Sequence, residues 1–542
     1  MRVQSSYRRA CLVAPFLLLC ACLLTWVLWY PPSPDLAAQI FRVHLFSADG
    51  FSLWDNNWYG GHYLPSYSLI FPPVATLLGV RFTGVLAVTA STALFWQIVR
   101  QHRSLRVPLA TTLFVLGATG DLFIGRVAFA LGITFALASV FSVMRGQRLW
   151  CAVFSLACAA TSPVAAAFLV LVAFADLLAN RAPARPAVLA LPALSLTLMI
   201  LLLFPEAGYE PFALTSLLAA AGASIAVLLL VPPVERMVRY TAALYLLALL
   251  LAYFLHTAMG SNAVRFGILF APAALVGHVS LNDVRRVLAH ARFTHGQSRS
   301  HRISGSRRIP ASILVLTSTA LVIWQLNGPV AQSVTASLSP SSSYRFYLPA
   351  IRYLESRTRG KPTRIEEAFT SSHWDATILG QYFLLARGWD RQLDTRYNPL
   401  FYEAHLSAAA YHSWLLENGV QFVLLPNAPL DFSSAQEASL LRNGLKFLRL
   451  VMHTTNWHIY EVRGARSLAT GPGYLTSVDG DGFSVRAIKA GKFVVRIHYT
   501  PYWKVTSGSA TITSTTSGWT QIVVPRRGEV AVDAEFSLGA VA

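Results

Sequence analysis

Charge is what this 542-residue chain has least of: Asp, Glu, Lys and Arg together make up 13% of it, about half the roughly 25% of a soluble protein. Lysine is missing before Lys361, so the positive charge of the first 360 residues is arginine alone. There are five cysteines, Cys11, Cys20, Cys22, Cys151 and Cys158, all in apolar stretches, which leaves the polar C-terminal half without a disulfide framework. No CxxC pair or Cys/His spacing of a metal site is present, and no glycine-rich phosphate loop precedes a helix. A zinc module and a nucleotide-sugar site are therefore not indicated. The net charge of +19 forms no basic stripe interleaved with aromatics, which argues against nucleic acid as a partner.

What is abundant is apolar sequence, at 54% of the chain. The run Cys11–Tyr30 follows Arg2, Arg8 and Arg9 and is long enough to cross a bilayer. No small-x-small cleavage site follows it, so it reads as an uncleaved first helix with its N-terminus in the cytoplasm. Further runs lie near 82–99, 107–120, 128–144, 149–161, 163–179, 187–204, 212–231, 240–256, 264–280 and 311–326, about eleven spans in all. Charge parity agrees with that count. Segments of one parity carry Arg100, Arg103, Arg106, Arg145, Arg148, Arg181, Arg185, Arg236 and Arg239, and the arginine-rich stretch 281–309. The other parity holds only Arg42, Arg81, Arg126 and Arg265. The positive-inside rule puts the first set in the cytoplasm and everything after Asn327 outside. The stretch 281–309 reads as a solvated loop touching anionic lipid.

Carboxylates are few before residue 330, and six of the nine fall on predicted outside loops: Asp35, Asp49, Asp55, Asp121, Glu206 and Glu210. The densest loop lies within 31–73. From His44 to Pro73 it reads HLFSADGFSLWDNNWYGGHYLPSYSLIFPP. Aromatic bodies with polar tips suit a membrane interface, and Asp49 and Asp55 among them make this loop the candidate reacting face. Two other loops offer arginine, the side chain best shaped for phosphate. GDLFIGRVAF holds Asp121 and Arg126, and GSNAVRFG holds Arg265. An arginine or an aspartate at a span end is equally explained by an ion pair or by snorkelling.

Beyond Asn327 composition becomes ordinary. Short helices are expected over 347–357, 376–385, 408–417 and 435–445, and strands over 420–426, 447–453 and 457–462, giving an α/β domain over 327–464. Alternation with Gly, Asp and Ser turns from 465 to 542 marks a small all-β module of sandwich type. The stretch RGWDRQLDTRYNPLFY (387–402) reads as a structural seam or as a carbohydrate contact. The expected architecture is a polytopic α-helical membrane protein, 1–326, with an extracytoplasmic C-terminal α/β plus all-β region in the cell membrane.

The pattern WDNNWYGGHYLPSYSLIFPPVATLLG, the GRVAF step and the long C-terminal region resemble the 6-pyruvoyl-tetrahydropterin-synthase-related integral membrane proteins. The acidic first loop resembles that of GT-C superfamily glycosyltransferases. The resemblance implies a GT-C-like membrane domain and transfer of a sugar from a polyprenyl-phosphate donor to a glycan, lipid or protein acceptor. It implies Asp49 or Asp55 as general base, Trp54, Trp58 and Tyr63 around the sugar ring, His62 on a phosphate or on the base, Arg265 or Arg126 on the phosphate, and His44 and Asp121 among the substrate-binding residues. The adjacent acid pair usual in that superfamily is absent here, since the two acids stand six apart. A divalent metal ion therefore stays open, as do a lipid-linked polymer transporter and a non-catalytic envelope scaffold.

Overall fold

The computed structural model describes residues 2–101, 106–206, 208–278, 311–537 and 539; the basic stretch 281–309 lies outside them. Every predicted span corresponds to a helix: α1 (Arg2–Trp29), α4 (Val80–Val99), α5 (Val107–Ile124), α6 (Val127–Met144), α7 (Arg148–Thr161), α8 (Pro163–Asn180), α9 (Ala184–Leu203), α10 (Leu214–Leu230), α11 (Arg236–Phe254), α12 (Val264–His278) and a further helix over Ala311–Leu338. Among the described residues nine helices are long and apolar enough to cross a membrane, while α7 and α10 are apolar but shorter. The protein is a polytopic helical membrane protein with a C-terminal sheet region.

Local chemistry explains the breaks. Between α5 and α6 the chain turns at Gly125, which takes the left-handed conformation that glycine adopts most cheaply. Between α7 and α8 the Thr-Ser-Pro step ends one helix and starts the next: Ser162 accepts a hydrogen bond from the Ala165 N–H, and Pro163 needs no donor at the first position. Several polar side chains among the spans donate to backbone carbonyls. Buried Gln325 donates to the Leu113 and Ile268 carbonyls, and Trp26 Nε1 donates to Leu122.

The chain forms two compact units. One comprises 1–31, 80–197 and 211–333; the other comprises 32–79, 198–210 and 334–542. Composition alone places a boundary near residue 327, but the loop after the first span belongs to the same unit as the C-terminal region. The reason lies in its side chains, which bury themselves in that region's core.

This second unit contains α2 (Pro34–Asp49), the hairpin β1 (Trp54–Asp55) and β2 (His62–Tyr63), and α3 (Phe71–Leu78). A mixed five-stranded sheet has the order β4-β3-β5-β7-β6, where β3 is Arg364–Glu367, β4 Leu384–Leu385, β5 Val420–Pro426, β6 Leu448–His453 and β7 Trp457–Val462. Strand β3 pairs in parallel with β4 and β5, while β7 pairs antiparallel with β5 and β6. Helices Tyr344–Thr358, Ala408–Asn418 and Ala435–Asn443 stand close to their expected limits. The helix expected over 376–385 is Trp374–Leu379 instead, and the chain then extends into β4. After residue 468 come two four-stranded antiparallel sheets, in strand order β12-β15-β10-β9 and β13-β14-β11-β8. These are β8 (Ala469–Thr470), β9 (Gly473–Val478), β10 (Gly482–Ala487), β11 (Gly491–His498), β12 (Trp503–Ser507), β13 (Thr511–Ser514), β14 (Trp519–Val524) and β15 (Gly528–Ala534).

Candidate functional site

Serine, proline and an acidic residue open α2 (Ser33-Pro34-Asp35), a helix-start signature. The helix carries Phe41 and Arg42 inward and leaves His44 and Asp49 exposed. Gly50, with φ of +73°, stops it. The chain then makes the short hairpin in which Trp54 faces Tyr63 and Asp55 faces His62. The register is tied down by sequence-distant partners. The Asn56 N–H donates to Gly480, and its side-chain amide donates to Asp479 and Gly482 at 2.9 Å each. The N–H groups of Leu385 and His498 donate to Asn57 and Gly60.

The hairpin aromatics are core residues of this unit. Trp58 is fully buried and stacked on Phe41 at 4.1 Å, and its Nε1 donates to Ala376. It shares a cluster with Tyr347, Leu379, Trp457 and Ile459 from the five-stranded sheet and its helices. Trp54 is buried with Nε1 on Asn56, and the Tyr63 hydroxyl meets Thr500 at 2.9 Å. The ring faces proposed above for a sugar are thus largely packed against protein.

Behind them sits the polar pair. Asp55 is completely buried; its Oδ1 accepts from the Asn57 N–H at 2.9 Å, and its Oδ2 has no hydrogen-bond partner. Burial pushes its carboxyl up to about 7, against the pull of the Asn57 N–H and the Arg42 charge. His62 Nδ1 stands 3.8 Å from Asp55 Oδ2. Neither ring nitrogen reaches an acceptor in hydrogen-bond geometry. Burial, reinforced by Arg42, lowers the imidazole to about 3, although the carbonyls of Trp58 and Asp55 favour its protonation. Arg42 pairs with Asp390 and lies 3.7 Å over the Tyr67 ring. Tyr59 donates to the Asp390 carbonyl, which closes the cluster. Arg42 and Asp390 were not singled out from sequence. The scarcity of arginine on loops of that parity was the available signal for Arg42.

Beside this cluster a cavity of about 40 Å³ is lined by Arg42, Asp49, Ser52, Trp54 and Ser68, room for one or a few waters. Asp49 borders Gly480 there, since a methyl group added at that glycine would meet its Oδ2 at 2.6 Å. Tyr63 N–H donates to Glu206, which burial pushes up to about 7 and which pairs with Arg396 at 3.0 Å.

Asp121, Arg126 and Arg265 belong to the other unit. Asp121 is buried and 3.4 Å from Arg126, and Arg265 pairs with Asn262 with its guanidinium 5.4 Å from the Phe129 ring centre. Among the described residues no three His, Cys, Asp or Glu side chains are grouped to hold a metal ion. Asp55 and His62 are joined by no third side chain of that kind at metal-ligand spacing, so the pair does not fit a divalent metal.

Neither a protein-family model nor a curated protein matches the chain. Among solved structures it is similar to the arabinofuranosyltransferase AftD from Mycobacteria, with 15% identity and a TM-score of 0.40, over 87% of this chain and 40% of that one. It is also similar to ArnT from Cupriavidus metallidurans bound to undecaprenyl phosphate, with 12% identity and a TM-score of 0.42, over 82% of this chain and 97% of that one. The chain thus spans less than half the length of AftD.

Proposed function

We propose that the protein is a membrane glycosyltransferase of the GT-C type that moves a sugar from a polyprenyl-phosphate donor to an acceptor hydroxyl. The observation that supports this most is the Asp55–His62 pair. Buried polar atoms are nearly always satisfied, and those that are not call for a functional account. Here one carboxylate oxygen and both imidazole nitrogens of two facing residues lack a hydrogen-bond partner, as does Arg42 Nε beside them. A carboxyl near 7 is poised to take a proton at neutral pH. In this reading Asp55 accepts the acceptor's proton, and neutral His62 orients it. The small cavity reaches Trp54, the residue before Asp55, and is the proposed approach. Within the other unit, Arg126 and Arg265 are proposed as phosphate ligands. No metal ion enters the scheme.

A second reading is a non-catalytic scaffold, favoured by the complete burial of Asp55 and Trp58. Purified protein given polyprenyl-phosphate mannose, arabinose or glucose with a glycan acceptor separates the two. Transfer that is lost in Asp55→Asn supports the enzyme. Transfer that survives both Asp49→Asn and Asp55→Asn removes the proposed chemistry, and no transfer from any donor supports the scaffold.

A further inference from the structure

A second, larger opening lies in the same unit. Between the helix Ala408–Asn418 of the α/β part and strands β11 and β14 of the β part is a cleft of about 580 Å³, within the range of ligand sites. Its floor is a column of four rings contributed by four stretches of chain. Tyr59 stacks on Tyr397 at 5.8 Å, Tyr397 on His498 at 4.6 Å, and His498 on Trp519 at 4.4 Å. On one wall Trp414 is half-buried, with Tyr411 parallel to it at 6.2 Å and its Nε1 bonded to Asn398. At the rim Glu417 and Arg466 form an exposed ion pair at 3.4 Å, and Glu417 also accepts from Trp519 Nε1. Ser413 and Ser517 add exposed hydroxyls.

The lining selects among ligand classes. A free anion gains little, because Glu417 already neutralises Arg466. An apolar chain would strip water from that ion pair with nothing to replace it. A ligand with flat CH faces and outward hydroxyls satisfies both surfaces, the CH faces on half-buried Trp414 and on the edges of the stacked rings and the hydroxyls on the carboxylate, guanidinium and serines. We infer that this cleft binds a neutral oligosaccharide. The cleft connects with the candidate site through Tyr59, whose ring lines the cleft and lies 5.6 Å from His62. Calling the bound glycan the acceptor rests on the transferase reading; the binding itself does not.

The test is equilibrium binding to the full-length protein in detergent, without donor, followed by tryptophan fluorescence and calorimetry. The probes are soluble arabinan, mannan and glucan oligosaccharides. The inference expects saturable binding of at least one, weakened tenfold or more by Trp414→Ala and by Arg466→Ala, and blocked by Ser517→Trp, which fills the cleft from an exposed position. Binding to Asp55→Asn should equal wild type, so loss of transfer chemistry and loss of glycan binding are read separately. No saturable binding of any of the three glycans overturns the inference. So does binding that the exposed variants Arg466→Ala and Ser517→Trp leave unchanged, whether or not Trp414→Ala folds.

Discussion

Asp55 Oδ2 and His62 Nδ1 face each other at 3.8 Å across a hairpin whose strands are two residues long, and neither atom has a hydrogen-bond partner. Burial moves the two groups in opposite directions, the carboxyl up to about 7 and the imidazole down to about 3. Both are therefore held in their neutral forms over the mildly acidic range. That arrangement supplies the first two predictions.

If Asp55 is the base, Asp55→Asn should reduce transfer by about 10²–10⁴-fold, the contribution of a positioned general base. The ratio of kcat/KM for the two proteins in the polyprenyl-phosphate assay gives the number. Asp49→Asn, at an exposed position, should cost less. The reverse order would hand the role to Asp49.

The folded protein holds a proton on Asp55 that the unfolded chain releases above about pH 4, so this group lowers stability as pH rises from about 4 to 7. His62 stays unprotonated when folded while the unfolded chain takes up a proton below about 6.5, so it lowers stability as pH falls from there toward 3. Between about pH 4 and 6.5 the two slopes oppose each other. Removing one should reveal the other. Asp55→Asn should lose melting temperature on acidification through this window more steeply than wild type, and His62→Gln should lose it on raising the pH. Thermal melts at pH 4.5, 5.5 and 6.5 read both, and parallel curves for all three proteins would contradict the assignment.

Trp58→Ala should destabilise the second unit by about 3–5 kcal/mol, the usual loss for a large buried aromatic. The ring stacks on Phe41 and bonds Ala376, so the damage should reach the five-stranded sheet as well as the hairpin. Hydrogen exchange across β3 and β5 would register it.

Gly61 has φ of +115°, and a methyl group there would meet the Trp54 ring at 2.5 Å. Gly61→Ala should cost at least the roughly 1–3 kcal/mol of a strained backbone position, with Trp54 fluorescence changed. Gly444→Ala, which also has positive φ but open space around it, is the control.

Arg387 is buried with Asp394 at 2.6 Å and Glu366 and Glu437 at 3.7 Å. Burial holds the Glu366 carboxyl well above its usual range, and that of Glu437 at about 7. Arg387→Met should cost about 3–5 kcal/mol by stranding charge in the interior, and adding Asp394→Asn should restore part of it. A double-mutant cycle in thermal stability measures the recovery.

The membrane half was readable because a span needs only length and apolarity, and each expected run met a helix. Strand β5 was readable from its apolar run, and the strands after residue 465 from alternation. Strand β3 was not. Its sequence, Arg-Ile-Glu-Glu, looks like a solvated surface, yet all four residues are buried: Arg364 donates to the Asn418 and Arg496 carbonyls, and Glu366 lies 3.7 Å from Arg387. At the candidate site the residue types in the loop after the first span were visible, but their partners were not. Arg42 finds Asp390, and Trp58 finds Ala376, across more than 300 residues. No local pattern encodes such pairings. The helix α2 is a different case, since its Ser-Pro-Asp start is a local signal carried by the sequence itself.

The division of the second unit along the chain also sets an order of assembly. Trp58 is synthesised 318 residues before the carbonyl it bonds. At about 5–20 residues per second this leaves the hairpin without its core for roughly 15–60 s. During that interval Trp58 has Phe41 but lacks the Ala376 carbonyl and the sheet residues around it, and any chain released before residue 376 would leave it without them. A truncated form of this protein should therefore appear in the cell as a chaperone or protease substrate, and not as a stable membrane domain lacking its C-terminal part.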